Sequence, residues 1–178
     1  MIRSLSLATE RLALTPLAGS DVDALLTVFR EPAVRRYLLD DALVDRDWVL
    51  AEVETSAARF ATGGLGLWIA RDRVAGDVIG FAGFRPFYDP PIEQLVYGVA
   101  TAATGRGLAT EMARAVIELA FRDPARAVIR ASTDEPNQAS VRVLERLGFT
   151  ELGRTPGERW IQLHFSRARG PAFPPGSS

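Results

Sequence analysis

Two glycines in one short turn, Gly105 and Gly107, form the clearest chemical signal in the sequence. They lie in the segment TGRGLAT (104–110), between a strand-like run (95–100) and a helical pattern. The first turn of a helix has N–H groups without intrahelical partners and carries the positive end of the helix dipole. Glycine also lets the backbone approach a ligand closely. The turn therefore predicts a diphosphate site, although a pair of glycines alone also occurs in ordinary turns.

A second helix start carries polar side chains. The segment NQASVRVLERLGF (137–149) begins with Asn137, which suits an N-cap, and contains Gly148, which suits the left-handed residue after a last helical turn. Ser140 lies in the first turn, where its hydroxyl can donate a hydrogen bond to a developing anion. Both helical segments follow strand-like runs, which indicates an alternating order of strands and helices.

These two segments, in this order, resemble the GNAT superfamily of N-acetyltransferases. The runs GRGLATEMARAVIELAF and NQASVRVLERLGF carry the resemblance, and TERLALTPL and EQLVYGVA make it closer to the RimJ/RimL-like branch of ribosomal-protein-alanine acetyltransferases. The resemblance covers roughly residues 8–168. It implies an α/β (α+β) fold of the GNAT acyl-CoA N-acyltransferase type, with a mixed, mainly antiparallel sheet flanked by helices and with splayed central strands.

The resemblance also implies acetyl-coenzyme A as co-substrate. In the family, the glycine turn holds the diphosphate and the splayed strand before it pairs with the amides of the pantetheine arm. Thr104 stands where the family usually has Gln or Arg, so the cradle here depends on backbone amides. The residues that the resemblance assigns to cofactor binding are Tyr97, Val99, Gly105, Arg106, Gly107, Leu108, Ala109, Thr110 and Asn137.

Acetyl transfer to an amine needs an unprotonated nucleophile and a proton for the departing thiolate. Many family members carry an acidic residue at the start of the strand that feeds the cradle, which makes Glu93 a candidate base; a solvent-exposed strand-end carboxylate is the alternative. Asp134 and Glu135 are second choices, since turn formation explains both. Leu144 stands where many members have a tyrosine, and the resemblance then assigns the contact with the cofactor sulfur to Ser140. The alternative for Ser140 is an ordinary first-turn helix residue.

The composition limits the function further. A chain of 178 residues fits one domain, for which we expect residues 1–169, followed by a Pro/Gly/Ser-rich tail at 170–178 that we expect to be disordered. The formal net charge of −1 gives no global field that favours nucleic acid or a membrane surface. The absence of cysteine excludes a thiolate nucleophile, and with a single histidine, His164, a His-rich metal site is not expected. The N-terminus lacks a continuous apolar region, which favours a cytoplasmic location.

Several helices and strands can be placed from local patterns. A capping box at Ser20–Asp23 and a cap at Asp45 predict two helix starts. Strands 67–70 and 78–82 form a predicted hairpin, and 160–165 a closing strand that carries His164 as a sheet residue. In the loop 87–91, Tyr88 is either a surface ring or part of an acceptor pocket. The charged residues of the helix after the glycine turn, Glu111 among them, are expected to form a solvated face.

The function predicted from these features is acetyl transfer from acetyl-coenzyme A to a primary amine. The amine is the N-terminal α-amine of a protein or a small molecule, and direct attack in a ternary complex is expected because no cysteine is present to carry the acetyl group. A non-catalytic acyl-coenzyme A sensor or scaffold is the alternative. A nucleotide-binding α/β domain is a third interpretation. A dinucleotide fingerprint has its third glycine where this chain has Thr110, which argues against that interpretation. The sequence is compatible with a homodimer.

Overall fold

One eight-stranded sheet organises the part of the chain that the computed structural model describes, residues 5–170 and 173. The strands are β1 (Leu7–Ala8), β2 (Leu12–Pro16), β3 (Leu67–Asp72), β4 (Val78–Phe87), β5 (Ile92–Val99), β6 (Val128–Asp134), β7 (Thr150–Pro156) and β8 (Ile161–Ala168). The helices are α1 (Val22–Arg30), α2 (Pro32–Leu38), α3 (Arg46–Ala61), α4 (Leu108–Ala120) and α5 (Gln138–Arg146), and short 3₁₀ turns cover Gly19–Asp21 and Thr101–Ala103. The strand order is β1-β2-β3-β4-β5-β6-β8-β7.

The helices form two layers, one on each face of the sheet. On one face, α1 and α3 pack their apolar residues around Phe29, Val53 and Phe81. On the other face, α4 and α5 bury a stripe that includes Met112, Val116 and Leu144, all at most 1% exposed, against Trp68 and Phe84. The sheet is therefore covered on both faces, and the predicted fold class is confirmed.

The sheet is interrupted in its middle. All neighbouring strands are antiparallel except β5 and β6, which are parallel. Strand β5 pairs with β4 along its whole length, from Ile92 to Val99, whereas its ladder with β6 consists of the single pair Gln94–Arg130. Beyond this pair the two strands separate. The expected splayed central strands are present, and they open a groove between β5, β6, α4 and α5.

Local capping chemistry places several elements as expected. The Asp45 Oδ1 atom accepts a hydrogen bond from the Trp48 amide at 2.9 Å and starts α3. The first helix differs from its prediction, because a 3₁₀ turn at Gly19–Asp21 precedes it and Asp21 accepts from the Ala18 amide at 2.9 Å. Strand β7 had no prediction, since its sequence TELGRTP lacks a clear apolar alternation. Of the expected tail, 171, 172 and 174–178 lie outside the described residues.

A glycine-to-alanine pair tests how closely β4 and β5 must pack. A Cβ atom on Gly80 would lie 2.0 Å from the carbonyl oxygen of Gly98 on β5, so Gly80→Ala must push the two strands apart near the end of β5. We expect a loss of about 1 to 3 kcal/mol in the free energy of unfolding. Gly19→Ala is the matched control, because a Cβ there meets no atom within 4 Å. Equal denaturation midpoints for the two variants would contradict this packing.

Candidate active site

A single groove of about 620 Å³ brings together most of the residues that the sequence singled out. Its walls come from the splayed strands β5 and β6, from the starts of α4 and α5, and from α2 with the loop that follows it. Of the residues expected to bind the cofactor, all but Arg106 line it: Tyr97, Val99, Gly105, Gly107, Leu108, Ala109, Thr110 and Asn137. Ser140 lines it as well. Glu93 does not.

The glycine turn at one end of the groove presents unpaired backbone amides. Gly105 and Gly107 have φ angles of 73° and 75°, the left-handed region that glycine adopts readily, and Gly107 is the N-cap of α4. Among the described residues, none accepts a hydrogen bond from the N–H groups of residues 105–110. Thr110 adds a buried hydroxyl, 3% exposed as a residue, whose oxygen has no partner in the described part of the chain. These donors together fit an anionic group such as a diphosphate.

A hydrogen-bond network from Thr9 and Arg11, just before β2, holds this turn in place. Arg11 donates from Nε to Glu111 Oε2 at 2.6 Å and from Nη1 to the Arg106 carbonyl oxygen at 2.9 Å, and the Arg11 amide donates to Glu111 Oε1 at 2.9 Å. The Thr9 hydroxyl also donates to Glu111. The expectation that Glu111 belongs to a solvated face was wrong, because its side chain is 13% exposed and paired across the fold.

The pKa of Glu111 records this network. Burial by itself would raise the pKa of the carboxyl group. The hydrogen bonds from Thr9 and from Arg11, together with the charge of Arg11, outweigh burial and hold the pKa below its ordinary value of 4.5. The carboxylate is therefore kept charged, and it anchors Arg11 against the turn.

A pair of hydroxyl groups joins β5 to α5 in the groove. The phenol oxygen of Tyr97, on β5, lies 2.7 Å from Ser140 Oγ and 3.3 Å from the Ser140 carbonyl oxygen. Burial raises the pKa of the Tyr97 phenol, and the hydrogen bond with Ser140 only partly offsets this, so the phenol stays protonated near neutral pH. Asn137 caps α5 as expected, since its Oδ1 accepts from the Ser140 amide at 3.3 Å. The cap thereby positions Ser140 in the groove.

Glu93 lies outside the groove, because it pairs with arginines. One carboxylate oxygen accepts from Arg59 and the other from Arg126. Its neighbour on β5, Gln94, is 4% exposed and lines the groove instead. Successive side chains of a strand point to opposite faces, so a shift of one residue exchanges the face on which a side chain lies. At the groove, β5 thus presents an amide and not a carboxylate.

One part of the groove, its acidic end, is lined by two carboxylates and an aromatic side chain. Asp134, at the end of β6, Asp40, after α2, and Tyr88, before β5, all line it. The Tyr88 phenol donates to Gln162 Oε1 at 3.0 Å. Burial raises the pKa of Asp134, and the nearby charge of Asp40 raises it further. This end therefore combines negative charge with an aromatic side chain.

His164 is a sheet residue, as its apolar surroundings predicted. It lies on β8, and its Nδ1 and Nε2 atoms lie 2.9 Å from Ser132 Oγ and 2.7 Å from Thr155 Oγ1. Glu135 pairs with Arg154 at 2.6 Å outside the groove.

Two arginines that the sequence analysis did not single out, Arg142 and Arg146, lie one turn apart on α5 and line the groove. The sequence signal that could have found them is their i, i+4 spacing, which places both arginines on one face of the helix that begins near Ser140.

Similarity to known proteins shows the family of this chain. The family described as "Acetyltransferase (GNAT) domain" matches residues 11–150. The chain belongs to the GNAT acetyltransferase family. It is 30% identical over 148 residues to the uncharacterized protein YkkB of Bacillus subtilis (80% of this chain, 84% of that protein). It is 32% identical over 134 residues to a phosphinothricin N-acetyltransferase of Streptomyces coelicolor (68% of this chain, 72% of that protein).

The fold also agrees with the RimJ/RimL-like resemblance. A structure of RimL, a ribosomal L7/L12 α-N-protein acetyltransferase in complex with coenzyme A, superposes with a TM-score of 0.76 at 16% identity, covering 90% of this chain and 95% of that one. The expected GNAT membership and acetyl-coenzyme A as co-substrate are confirmed, and the chain is an acetyl-coenzyme A-dependent N-acetyltransferase. Within residues 5–170 no helix is long and apolar enough to cross a membrane, and no group of three or more acidic or histidine side chains could hold a metal ion.

The network behind the cradle of this GNAT protein can be tested with Glu111→Gln. The variant leaves Arg11 without its charged partner, so we expect a loss of about 1 to 3 kcal/mol in the free energy of unfolding near neutral pH. The pKa of Glu111 is lowered in the folded state, so the stabilisation is present above pH 4.5 and is lost as the pH falls through the lowered value. Chemical denaturation of both proteins from about pH 7 to about pH 3 measures it. A difference that does not shrink in acid would contradict this assignment.

The amide cradle can be tested with Gly107→Val. A side chain at this position occupies the space beside the unpaired amides, so we expect the affinity for coenzyme A to fall by about tenfold or more. Gly63→Val is the matched control, because Gly63 has a φ angle of 81°, similar to the 75° of Gly107, and ends α3 away from the groove. Both variants carry the same backbone strain, and only the first should lose binding in calorimetry. Wild-type affinity in Gly107→Val would contradict the cradle.

Proposed function

We propose that this acetyltransferase transfers the acetyl group to a primary amine by direct attack of the amine in a ternary complex. The observation that carries the proposal is that one groove joins the unpaired amides of residues 105–110, the hydroxyl pair of Tyr97 and Ser140, and an acidic end at Asp134. These three sets of groups suit a diphosphate, the thioester sulfur and a cationic amine, respectively.

The cradle and the splayed strand hold the co-substrate in this proposal. The amides of residues 105–110 bind the diphosphate, and the unpaired edge of β5, near Tyr97 and Val99, receives the amides of the pantetheine arm. Asn137 supports the same arm while it caps α5. Arg142 and Arg146 add positive charge along the groove where further phosphate can lie. The bound molecule supplies an acetyl group as a thioester, which is the reactive acyl donor.

Tyr97 and Ser140 supply the proton for the departing sulfur. When the Tyr97 phenol donates to Ser140, the hydroxyl proton of Ser140 remains free to donate. Because burial keeps Tyr97 protonated, the pair remains a donor throughout the neutral pH range. Leu144 also lines the groove, but its hydrocarbon side chain has no proton to donate to the sulfur. Ser140 therefore acts together with a phenol from β5.

Direct attack is supported by the nucleophiles that the chain lacks. The sequence contains no cysteine, so no thiolate can take the acetyl group before the amine does. The acceptor is the N-terminal α-amine of a protein or a small-molecule amine. A sequence relative is named as a phosphinothricin N-acetyltransferase, and a structural neighbour is named as an α-N-protein acetyltransferase. The acidic end of the groove suits both, because both amines are cationic near neutral pH.

The test of this function is release of free thiol from acetyl-coenzyme A. Purified protein is incubated with acetyl-coenzyme A and a panel of acceptors: peptides with free or blocked N-termini, amino acid analogues and polyamines. The masses of the products are measured by mass spectrometry. We expect thiol release that depends on a free primary amine, and a product heavier by one acetyl group on nitrogen. Thiol release without an acceptor, or acetyl label on the protein, would contradict direct transfer.

The hydroxyl pair is tested by Ser140→Ala and Tyr97→Phe. Each removes one member of the 2.7 Å contact, so we expect kcat to fall by about tenfold or more while the dissociation constant of acetyl-coenzyme A changes little. Ser166→Ala, on β8 outside the groove, is the control for loss of a serine hydroxyl. If both variants keep the kcat of the wild type, the pair has only a structural role.

A further inference from the structure

Asp134 is a buried carboxylate whose side chain the fold does not use. It is the last residue of β6 and is 6% exposed. In the described part of the chain, no side chain or amide donates a hydrogen bond to its carboxylate, and no ion pair includes it. It lines the groove. A buried charged group without a partner is costly, and such groups are uncommon unless a function requires them.

Turn formation does not account for this side chain. The turn between β6 and α5 depends on the Asp134 backbone, whose carbonyl oxygen accepts from the Asn137 amide at 2.9 Å. The following turn of α5 is capped by the Asn137 side chain. Any residue with a backbone carbonyl could make the first of these contacts. The carboxylate is therefore free for another role.

The groove has few other groups that could accept a proton from an amine. Glu93 is held by Arg59 and Arg126 outside it, and Gln94 inside it is an uncharged amide. Asp40 is the other carboxylate among the described groove residues, and it is exposed to solvent. Asp134 thus combines access to the groove with removal from bulk water.

The charged and titratable groups around Asp134 favour proton uptake. Burial raises the pKa of Asp134, Asp40 raises it further, and Arg159, ahead of β8, acts in the opposite direction. A carboxylate with a raised pKa is a stronger base than an ordinary one and suits proton transfer near neutral pH. The other titratable or charged side chains that face the same groove are Tyr37 of α2, Tyr88 before β5, Tyr97 of β5, and Arg142 and Arg146 of α5.

We propose that Asp134 is the catalytic base, which binds the protonated acceptor amine and takes a proton from its nitrogen. The inference rests on the proposed function. An ammonium group loses two protons in the overall reaction. The first passes to the Asp134 carboxylate and then to solvent, which leaves a lone pair that forms the N–C bond as the C–S bond breaks. The Ser140–Tyr97 pair gives a proton to the departing sulfur and is restored by the second proton from nitrogen.

Asp134→Asn tests the base by its pH dependence. We expect kcat/KM to fall by about a hundredfold near pH 7, because the amide cannot accept the proton. The deficit should narrow as the pH approaches the pKa of the acceptor amine, since free amine then forms without a base. The thermal shift caused by acetyl-coenzyme A should match that of the wild type. Asp77→Asn, in the exposed turn between β3 and β4, is the matched control and should keep wild-type kcat/KM.

A second readout does not depend on activity. The pKa of Asp134 is raised in the folded state from its ordinary value of 3.8, so the wild type loses stability as the pH rises through the raised value. Asp134→Asn lacks this loss, so its free energy of unfolding relative to that of the wild type should increase over the range of pH that begins at the ordinary value of 3.8 and extends upward. A constant difference over this range would mean that Asp134 is not desolvated as the groove geometry indicates.

The outcomes separate the base from the enzyme. If Asp134→Asn equals the wild type in kcat/KM, or loses the same factor at every pH, Asp134 is not the base although the acetyltransferase function stands. If the wild type binds acetyl-coenzyme A but acetylates no amine, the proposed function fails, and the inference about Asp134 fails with it.

Discussion

The parting of β5 and β6 is the constraint on which the rest of the structure depends. After the single pair Gln94–Arg130, the facing edges of two strands in the middle of a sheet have no strand partner. Backbone N–H and C=O groups at such a depth need partners, and a ligand that carries amides can provide them. The same separation admits α4 and α5 to the groove, each with its N-terminus at the opening. The centre of the sheet therefore has backbone N–H and C=O groups that are free to pair with a ligand.

The chemistry of the site follows from what the two strands and two helices carry to this gap. Strand β5 brings a phenol, α5 brings a hydroxyl beneath its asparagine cap, and β6 ends in a buried carboxylate. The start of α4 brings backbone amides and the Thr110 hydroxyl, and Arg11 and Glu111 hold this turn through their hydrogen bonds. The amides that suit a diphosphate are thus separate from the hydroxyl pair and the carboxylate that we propose for proton transfer.

Features with a local cause could be predicted from the sequence, and long-range ones could not. The left-handed conformation of Gly148 and the caps at Asp45 and Asn137 depend on near neighbours, and the structure has them where expected. The contacts from Tyr97 to Ser140 and from Arg11 to Glu111 join residues 43 and 100 positions apart. No periodicity encodes such contacts, and the solvated role expected for Glu111 was wrong for that reason.

The position of Glu93 shows a different limit. A strand pattern gives the two faces of β5 but not which face opens to the groove, and Gln94 takes the place that a carboxylate was expected to occupy. Asp134 was only a second choice for the base, with turn formation as the alternative, because its burial depends on the packing of β6 between β5 and β8. The acidic end of the groove becomes visible only when α2, β6 and the turn before β5 are assembled.

The most direct measurement is an amide-resolved NMR titration of the isotope-labelled protein with coenzyme A. The N–H groups of residues 105–110 have no acceptor among the described residues, so we predict that their resonances move together, to lower field, as the diphosphate binds. If coenzyme A binds at saturation while these six resonances stay where they were, the backbone cradle is not the site that holds it.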